Sequence, residues 1–412
     1  MKNTLATALA LACTAGGSWA QTTWYVDAGA AAPGLGTQIS PYASIQYAID
    51  RPTTLNGDTI LVAPGTYVES LHIVDRWLTV RSSDGPLATI ITPQSAGNVV
   101  YLDSATAVVQ GFTITGHVPQ PPWATAGVFL YTGAIRDCIL RNNSTAVFCN
   151  EQGEIDDSTI VGNGLGINCN NFGCFLYVSN SIVASNTYDL IAGGAALVSA
   201  TYSAGLTSIF FNVDPIGAGT IVGDPHLWNV SGGDFHLAPG SPCIDAGNPS
   251  SPLDPDGSRH DIGALTYDVT YAPAPSVYCT AKTNSLGCVP AIGASGHASA
   301  SGAPFTITCA NELNNRLGLL FYGHAPAAAA YEGGWLCVNS PVKRTPVTSS
   351  LGNSGADDCS GAYSFDFDAL IQSGIDPSLA PGSLVYAQFW SRDPNSSYTT
   401  NRSDALSFGI AP

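Results

Sequence analysis

The phrase Ile135-Arg136-Asp137-Cys138-Ile139-Leu140-Arg141-Asn142-Asn143 returns 20 residues later as Ile155-Asp156-Asp157-Ser158-Thr159-Ile160-Val161-Gly162-Asn163. It returns again, 23 residues further on, as Val178-Ser179-Asn180-Ser181-Ile182-Val183-Ala184-Ser185-Asn186. Upstream, Val109-Gln110-Gly111-Phe112-Thr113-Ile114 is the same phrase, 26 residues before the first. A second run repeats with it, Ala146-Val147-Phe148-Cys149-Asn150 against Gly166-Ile167-Asn168-Cys169-Asn170. A period of this length without helical spacing predicts a β-solenoid, in which each repeat buries its apolar side only by stacking on the next. Apolar residues at repeat positions one, four and six point into the core. Asn143, Asn163 and Asn186 fall at one equivalent position and stack at a strand spacing of roughly 4.8 Å. A column of amides satisfies the backbone of a buried turn coil after coil. The repeated Leu framework of leucine-rich repeats is missing, and a propeller needs repeats about twice as long.

The start of the stack is legible as well. Ser40 reads as an N-cap and Pro41 as a first helical residue, with Ile45, Ala48 and Ile49 on one face. The expectation is a short amphipathic helix, ending near Asp50, that caps the open apolar end of the coils. Short β-runs follow at Thr59–Val62, Pro64–Tyr67 and Leu78–Val80.

Charge and cysteine usage limit the partners. Lys2, the apolar run Leu5–Ala15 and Ser18-Trp19-Ala20 read as an export signal over residues 1–20. Cys13 offers a lipoprotein alternative, although the residue three before it is Ala10 rather than Leu. No later stretch is long and apolar enough to anchor the chain in a membrane. The net charge of −17 becomes −18 without Lys2, and ten of the 11 cysteines remain. An even cysteine count in an exported chain points to disulfides. Such acidity argues against nucleic acid and anionic membranes, and against unaided binding of a polyanionic sugar. Calcium could bridge two such anions.

No lysine occurs from Gln21 to Ala281, and Pro273-Ala274-Pro275 reads as a linker. The expected division is therefore 21–272 for the solenoid and 273–412 for a β-rich accessory domain. Alternation in Leu384-Val385-Tyr386-Ala387-Gln388-Phe389-Trp390 suggests a β-sandwich there.

Ser40-Pro41-Tyr42-Ala43-Ser44-Ile45-Gln46, Gly57-Asp58-Thr59-Ile60 and Pro64-Gly65-Thr66-Tyr67 resemble the opening of bacterial right-handed parallel β-helix repeat proteins, which share their fold with pectate lyases. Asp234-Phe235-His236-Leu237-Ala238-Pro239-Gly240-Ser241-Pro242, Ile244-Asp245-Ala246-Gly247 and Asp261-Ile262-Gly263-Ala264 resemble the end of the same exoproteins. The resemblance covers roughly 24–267 and implies an all-β, right-handed parallel β-helix. It implies no single activity. The C-terminal phrases Tyr278-Cys279, Gly287-Cys288, Gly333-Gly334-Trp335-Leu336-Cys337-Val338, Tyr363-Ser364-Phe365-Asp366 and Gln388-Phe389-Trp390-Ser391-Arg392-Asp393-Pro394 resemble a domain appended to secreted proteins of planctomycete-like bacteria. Expected disulfides there are Cys279 with Cys288 and Cys337 with Cys359, which leaves Cys309 without a partner.

Enzymes on the resembled scaffold abstract a proton from acidic polysaccharide with Lys or Arg, helped by calcium. Candidates for that role are Arg136 or Arg141 as base, with Asp137 and Asp157 beside them. The plainer account is an ion pair across coils, since Arg136 aligns with Asp156. Glu151 and Glu154 lie in a turn and could contact substrate. Trp123, in a loop that lengthens one coil, either stacks on a sugar ring or folds back over the flank. Asp254, Asp256 and Asp261 form an oxygen-rich loop that could take calcium or simply close the β-helix with a capped turn. Cys149 and Cys169 read as stacked core thiols, with a Cys169–Cys174 disulfide as the competing account. Adjacent carboxylates at 156 and 157 diverge along a strand, so a glycosidase pair is not supported. The expected function is a secreted, non-catalytic protein that contacts extracellular polysaccharide or a cell-surface component. The alternative is a calcium-assisted polysaccharide lyase.

Overall fold

The computed structural model describes residues 21–119, 125–193, 195–210, 216–302 and 304–412. The export signal, Cys13 and Trp123 lie outside the described residues. The repeats form a parallel β-helix. One parallel ladder runs through Thr23–Val26, Thr59–Val62, Thr79–Ser82, Val100–Gln110, Val128–Arg136, Thr145–Asp156, Leu165–Cys169 and Tyr188–Ala192. A second runs through Gly65–Val68, Thr89–Thr92, Thr113–Thr115, Ile139–Arg141, Thr159–Val161 and Ile182–Ala184. Between them lies one continuous core, in which Ile114, Leu140, Ile160 and Val183 stack coil over coil.

Five successive coils, from Val109 onward, turn from the first ladder to the second through a left-handed residue at repeat position three: Gly111 (φ 77°), Asp137 (50°), Asp157 (47°), Asn180 (46°) and Tyr202 (47°). Gly, Asp and Asn tolerate that conformation best, which accounts for four of the five. The asparagine column forms as the repeat predicts. Asn163 Oδ1 accepts the Asn143 backbone N–H at 2.9 Å, and Asn186 Oδ1 accepts that of Asn163 at 2.9 Å. Each amide also donates to two backbone carbonyls, Asn163 to Leu140 (2.9 Å) and Val161 (3.1 Å). The His117 backbone N–H starts the column, donating to Asn143 Oδ1, and the buried Asp189 carboxylate ends it under the Asn186 amide.

The capping helix is shorter than expected. It spans Ile45–Asp50 with Ser44, not Ser40, as N-cap, the Ser44 hydroxyl accepting the Tyr47 N–H. Tyr42 cannot be helical, because its backbone pairs with Tyr25 and Asp27 as an added piece of strand. Glu69 completes the cap, accepting the N–H groups of Ile45 and Gln46, both at 2.9 Å. Ile45, Ala48 and Ile49 are buried against the end of the coil core.

Residues beyond the last coil fold back on the outer side of the second ladder. Phe235, Leu237, Cys243 and Ile262 pack on Ile139, Val161 and Ile182. From Ser276 the chain is antiparallel. A six-stranded sheet contains Leu317–Gly323, Leu384–Arg392 and Thr400–Gly409, and a three-stranded sheet contains Ala291–Ser295, Thr306–Glu312 and Gly361–Asp366. Phe305, Ile307, Tyr363, Phe389 and Phe408 pack together as its core.

The C-terminal disulfides are Cys279–Cys337 and Cys288–Cys359, not the expected pairs, and Cys309 is a free buried thiol. Cys279 lies beside the hairpin strand Gly334–Val338 rather than beside Cys288, with the Tyr278 hydroxyl donating to the Cys337 carbonyl at 2.5 Å.

Candidate functional site

The strand Thr145–Asp156 pairs on one side with Val128–Arg136 and on the other with Phe175–Ser179. Side chains alternate along it, so Gly153 and Ile155 point inward while Gln152, Glu154 and Asp156 face out. The register sets Arg136 opposite Asp156, as the repeat alignment implies. The expected ion pair goes elsewhere, however. Arg136 Nη2 donates to Glu154 Oε1 at 2.9 Å, diagonally across the pair. Asp156 Oδ1 is already occupied, accepting the Ser179 hydroxyl at 2.6 Å. Arg136 and Glu154 are about as exposed as each other, at 41% and 43% of their side chains. A pair so open to water adds little stability and stays available to a ligand.

Tyrosines stand on the same and the following strands. The Tyr131 hydroxyl donates to Glu151 Oε1 at 2.7 Å, and Tyr177 stands opposite Glu154 on the next coil. Tyr177 and Phe175 are exposed, and Phe172 projects from the loop before them. Tyr131 is held above its ordinary pKa, first by its hydrogen bond to Glu151 and then by that carboxylate's charge. The flank thus presents ring faces, two carboxylates and one guanidinium within neighbouring strands. Tyr177 was findable from sequence, since it precedes Val178 just as Glu154 precedes Ile155.

The remaining candidates separate from this face. Asp137, at its left-handed turn, accepts the Gln110 amide at 2.6 Å. Arg141 sits on the second ladder, its guanidinium 5.7 Å from the Phe235 ring, in a gap of about 110 Å³ under the hairpin of Leu227–Asn229 and Asp234–Leu237. Arg136 and Arg141 therefore do not share one groove.

Asp157 turns toward the fold-back segment. His260 lies between two carboxylates, with Nε2 2.7 Å from Asp157 Oδ1 and Nδ1 3.1 Å from Asp254 Oδ1. Burial, then the charge of Asp156, pushes the Asp157 carboxyl up to about 6, against the opposing hydrogen bond from His260. Burial pulls the His260 imidazole down, but its bond to Asp157 and the charges of Asp157 and Asp254 outweigh it and leave it raised. This contact spans 103 residues and had no counterpart in the repeat.

The oxygen-rich loop does not assemble a calcium cage. Asp254 Oδ2 accepts the Asp261 N–H at 2.9 Å, while Asp261 accepts the Asp245 N–H at 2.7 Å and the Tyr267 N–H at 2.6 Å. Asp256 is exposed and caps its own turn through Ser258. These oxygens face backbone amides, the Ser258 hydroxyl and the His260 ring rather than one another, an arrangement that suits the capped-turn account. Cys149, Cys169 and Cys174 are the one group of three or more Cys, His, Asp or Glu among the described residues whose ligand atoms all lie within 4.8 Å of one another. Two of them form the Cys169–Cys174 disulfide, and Cys149 is a thiol stacked in the core, its pKa pushed up to about 12 by burial.

Ladders and flank together define a parallel β-helix with a charged, ring-bearing outer face. No family model matches this chain. One segment is 25% identical over 103 residues to a cell surface glycoprotein of Methanothermus fervidus, covering 25% of this chain and 15% of that protein. Among solved structures, a pectate lyase is 12% identical with a TM-score of 0.36, covering 60% of this chain and 97% of the other. A rhamnogalacturonan lyase is 12% identical with a TM-score of 0.35, covering 49% and 62%. The pectin methylesterase of Aspergillus niger is 12% identical with a TM-score of 0.32, covering 49% and 82%.

Proposed function

We propose that this chain is an extracellular β-helix protein that binds glycan or a glycan-bearing cell-surface component through the flank around Arg136, Glu154 and Tyr177, without catalysing a reaction on it. Residues 21–272 are the display scaffold and 273–412 the accessory unit. The observation that carries this reading is the exposed Arg136–Glu154 pair with Tyr177 opposite Glu154 on the next coil. Pyranose CH groups pack on ring faces, and sugar hydroxyls need paired donors and acceptors beside them. The three disulfides suit an oxidising compartment, and the matched relative is named as a cell surface glycoprotein. A lyase is disfavoured by the same geometry. Arg136 pairs with Glu154 on the first ladder and Arg141 lies under the hairpin on the second, so the two candidate bases do not share a substrate face.

Titration against a panel of neutral and acidic glycans tests this reading. A neutral glycan is expected to bind, and Tyr177→Ala and Arg136→Ala each to weaken it about tenfold, a loss of roughly 1.4 kcal/mol. Polygalacturonate and alginate should give no unsaturated-uronide absorbance, with or without calcium. Absorbance that disappears in Arg136→Ala or Arg141→Ala would overturn the non-catalytic reading. Silence across the whole panel would overturn the glycan reading itself.

A further inference from the structure

The six-stranded C-terminal sheet has two apolar faces, and only one is sealed. Leu320, Tyr322, Phe389 and Leu406 point into the main core under the three-stranded sheet. On the other face stand Leu319, Phe321 and Trp390, covered by the hairpin Pro326–Tyr331 and Gly334–Val338. That cover is fixed in place. The Cys279–Cys337 disulfide holds it, and the buried Gln388 side chain accepts the Cys337 N–H at 3.1 Å and donates to the Trp335 carbonyl at 3.1 Å. It does not fill the space beneath it. A cavity of about 520 Å³ remains between Leu336 and Val338 on the hairpin and Leu319, Phe321 and Trp390 on the sheet. That volume is within the range of small-molecule sites, roughly 300–1,000 Å³.

Strand register brings positive charge into this apolar space. Directly opposed residues of an antiparallel pair share a face. Arg344 is opposite Phe321, and Arg402 is opposite Trp390, which is itself opposite Leu319. Both arginines line the cavity. Arg402 is buried and committed, with Nη2 2.7 Å from Glu332 Oε2 and its guanidinium 4.5 Å from the Tyr331 ring. Arg344 is exposed and makes no ion pair among the described residues. Two cations face one carboxylate, so the cavity carries a net positive charge in a chain whose net charge is −17. Its neighbour Lys343 points to the other side, onto Asp376.

We propose that this cavity binds a small organic anion with an apolar body, an aryl- or alkyl-carboxylate, whose body lies between the hairpin and Trp390 and whose carboxylate meets Arg344. A guanidinium presents two parallel donors that match a carboxylate, and the apolar walls take the rest of the ligand out of water. Binding is independent of the glycan flank, which is built on strands of the β-helix.

Isothermal titration of the full disulfide-bonded chain with 3-phenylpropionate, and with 3-phenylpropanol as its neutral counterpart, tests the site. The carboxylate is expected to bind about tenfold more tightly than the alcohol, the worth of one charge-assisted hydrogen-bonded pair. Arg344→Gln, at an exposed strand end, should abolish that preference and leave the alcohol unchanged. Leu336→Trp should fill the cavity and weaken both ligands, with its near-ultraviolet circular dichroism showing that the fold is kept. No binding of either compound to the parent chain, or a preference that survives Arg344→Gln, overturns the proposal.

Discussion

Asn163→Ala is expected to lower the stability of the coil stack by about 4 kcal/mol, among the largest effects a single substitution can have in this chain. Asn163 is 4% exposed and is the middle member of its column. Its Oδ1 accepts both the backbone N–H and the side-chain amide of Asn143, at 2.9 and 3.1 Å. Its own amide donates to the carbonyls of Leu140 and Val161 and to Asn186 Oδ1. Alanine removes every one of these bonds and leaves a buried donor and two carbonyls to find other partners. Each stranded group costs roughly 1–3 kcal/mol, which is the source of the estimate. Asn163→Asp separates hydrogen bonding from volume. A carboxylate keeps the Asn143 N–H but cannot donate, and it faces the carbonyls of Leu140 and Val161 and the Asn186 oxygen. Asp should therefore match or exceed the alanine loss at neutral pH and recover part of it in acid, where the carboxyl can donate once. Urea denaturation of the disulfide-intact chain measures both. An alanine loss below about 1 kcal/mol would mean that water replaces the amide, and the column would then not be what holds the turns together.

The column could be read from sequence because a solenoid writes the same contact once per coil. The inward residues follow from aligning the repeats, whereas Glu151 and Glu154, expected in a turn, lie within the strand Thr145–Asp156, which is longer than its repeat suggests. What could not be read is whatever the repeat does not contain. The alignment set Arg136 beside Asp156, yet the ion pair formed diagonally with Glu154, while Asp156 Oδ1 accepts the Ser179 hydroxyl of the following coil. His260 reaches back to Asp157 and Phe235 covers Arg141 only because residues after the last coil fold over the second ladder. No periodicity announces that fold-back. Helix start and disulfide partners failed for a related reason. Ser40 and Ser44 are both competent caps, and the choice fell to strand pairing by Tyr42 with a segment 17 residues away. The cysteines of the accessory unit were paired by nearness in sequence, whereas its antiparallel strands bring together residues 58 and 71 apart. The cavity under the hairpin escaped for the same cause, since Arg344, Phe321 and Trp390 meet only through sheet register.

Glu312 provides the second large effect, and its size depends on pH. The side chain is buried at the end of Thr306–Glu312, where it accepts the Ser391 hydroxyl at 2.8 Å and lies 3.6 Å from the Cys309 thiol. No cation pairs with it among the described residues. Burial pushes its carboxyl up from 4.5 to about 7, with Asp393 adding to the rise and the bonds from Ser391 and Cys309 opposing it. Between those two values the native chain keeps a proton that the unfolded chain has released. Unfolding then releases that proton, so stability falls as pH rises from about 4.5 to about 7 and stays at the lower level above it. A shift of this size corresponds to a loss on the order of 3 kcal/mol at pH 8 relative to the protonated state. Glu312→Gln keeps an acceptor for Ser391 and cannot ionise. At pH 4.5 the variant and parent should be about equally stable, and at pH 8 the variant should be the more stable by about 2–3 kcal/mol. Other titrating groups, such as Asp376, held well below its usual range by Lys343, Ser378 and Tyr322 despite burial, are common to both chains and cancel in the difference. Parallel urea denaturation at the two pH values decides the matter. A difference that stays constant between them would show that Glu312 ionises freely in the folded state, and that solvent or a counter-charge reaches it where burial now sets its behaviour.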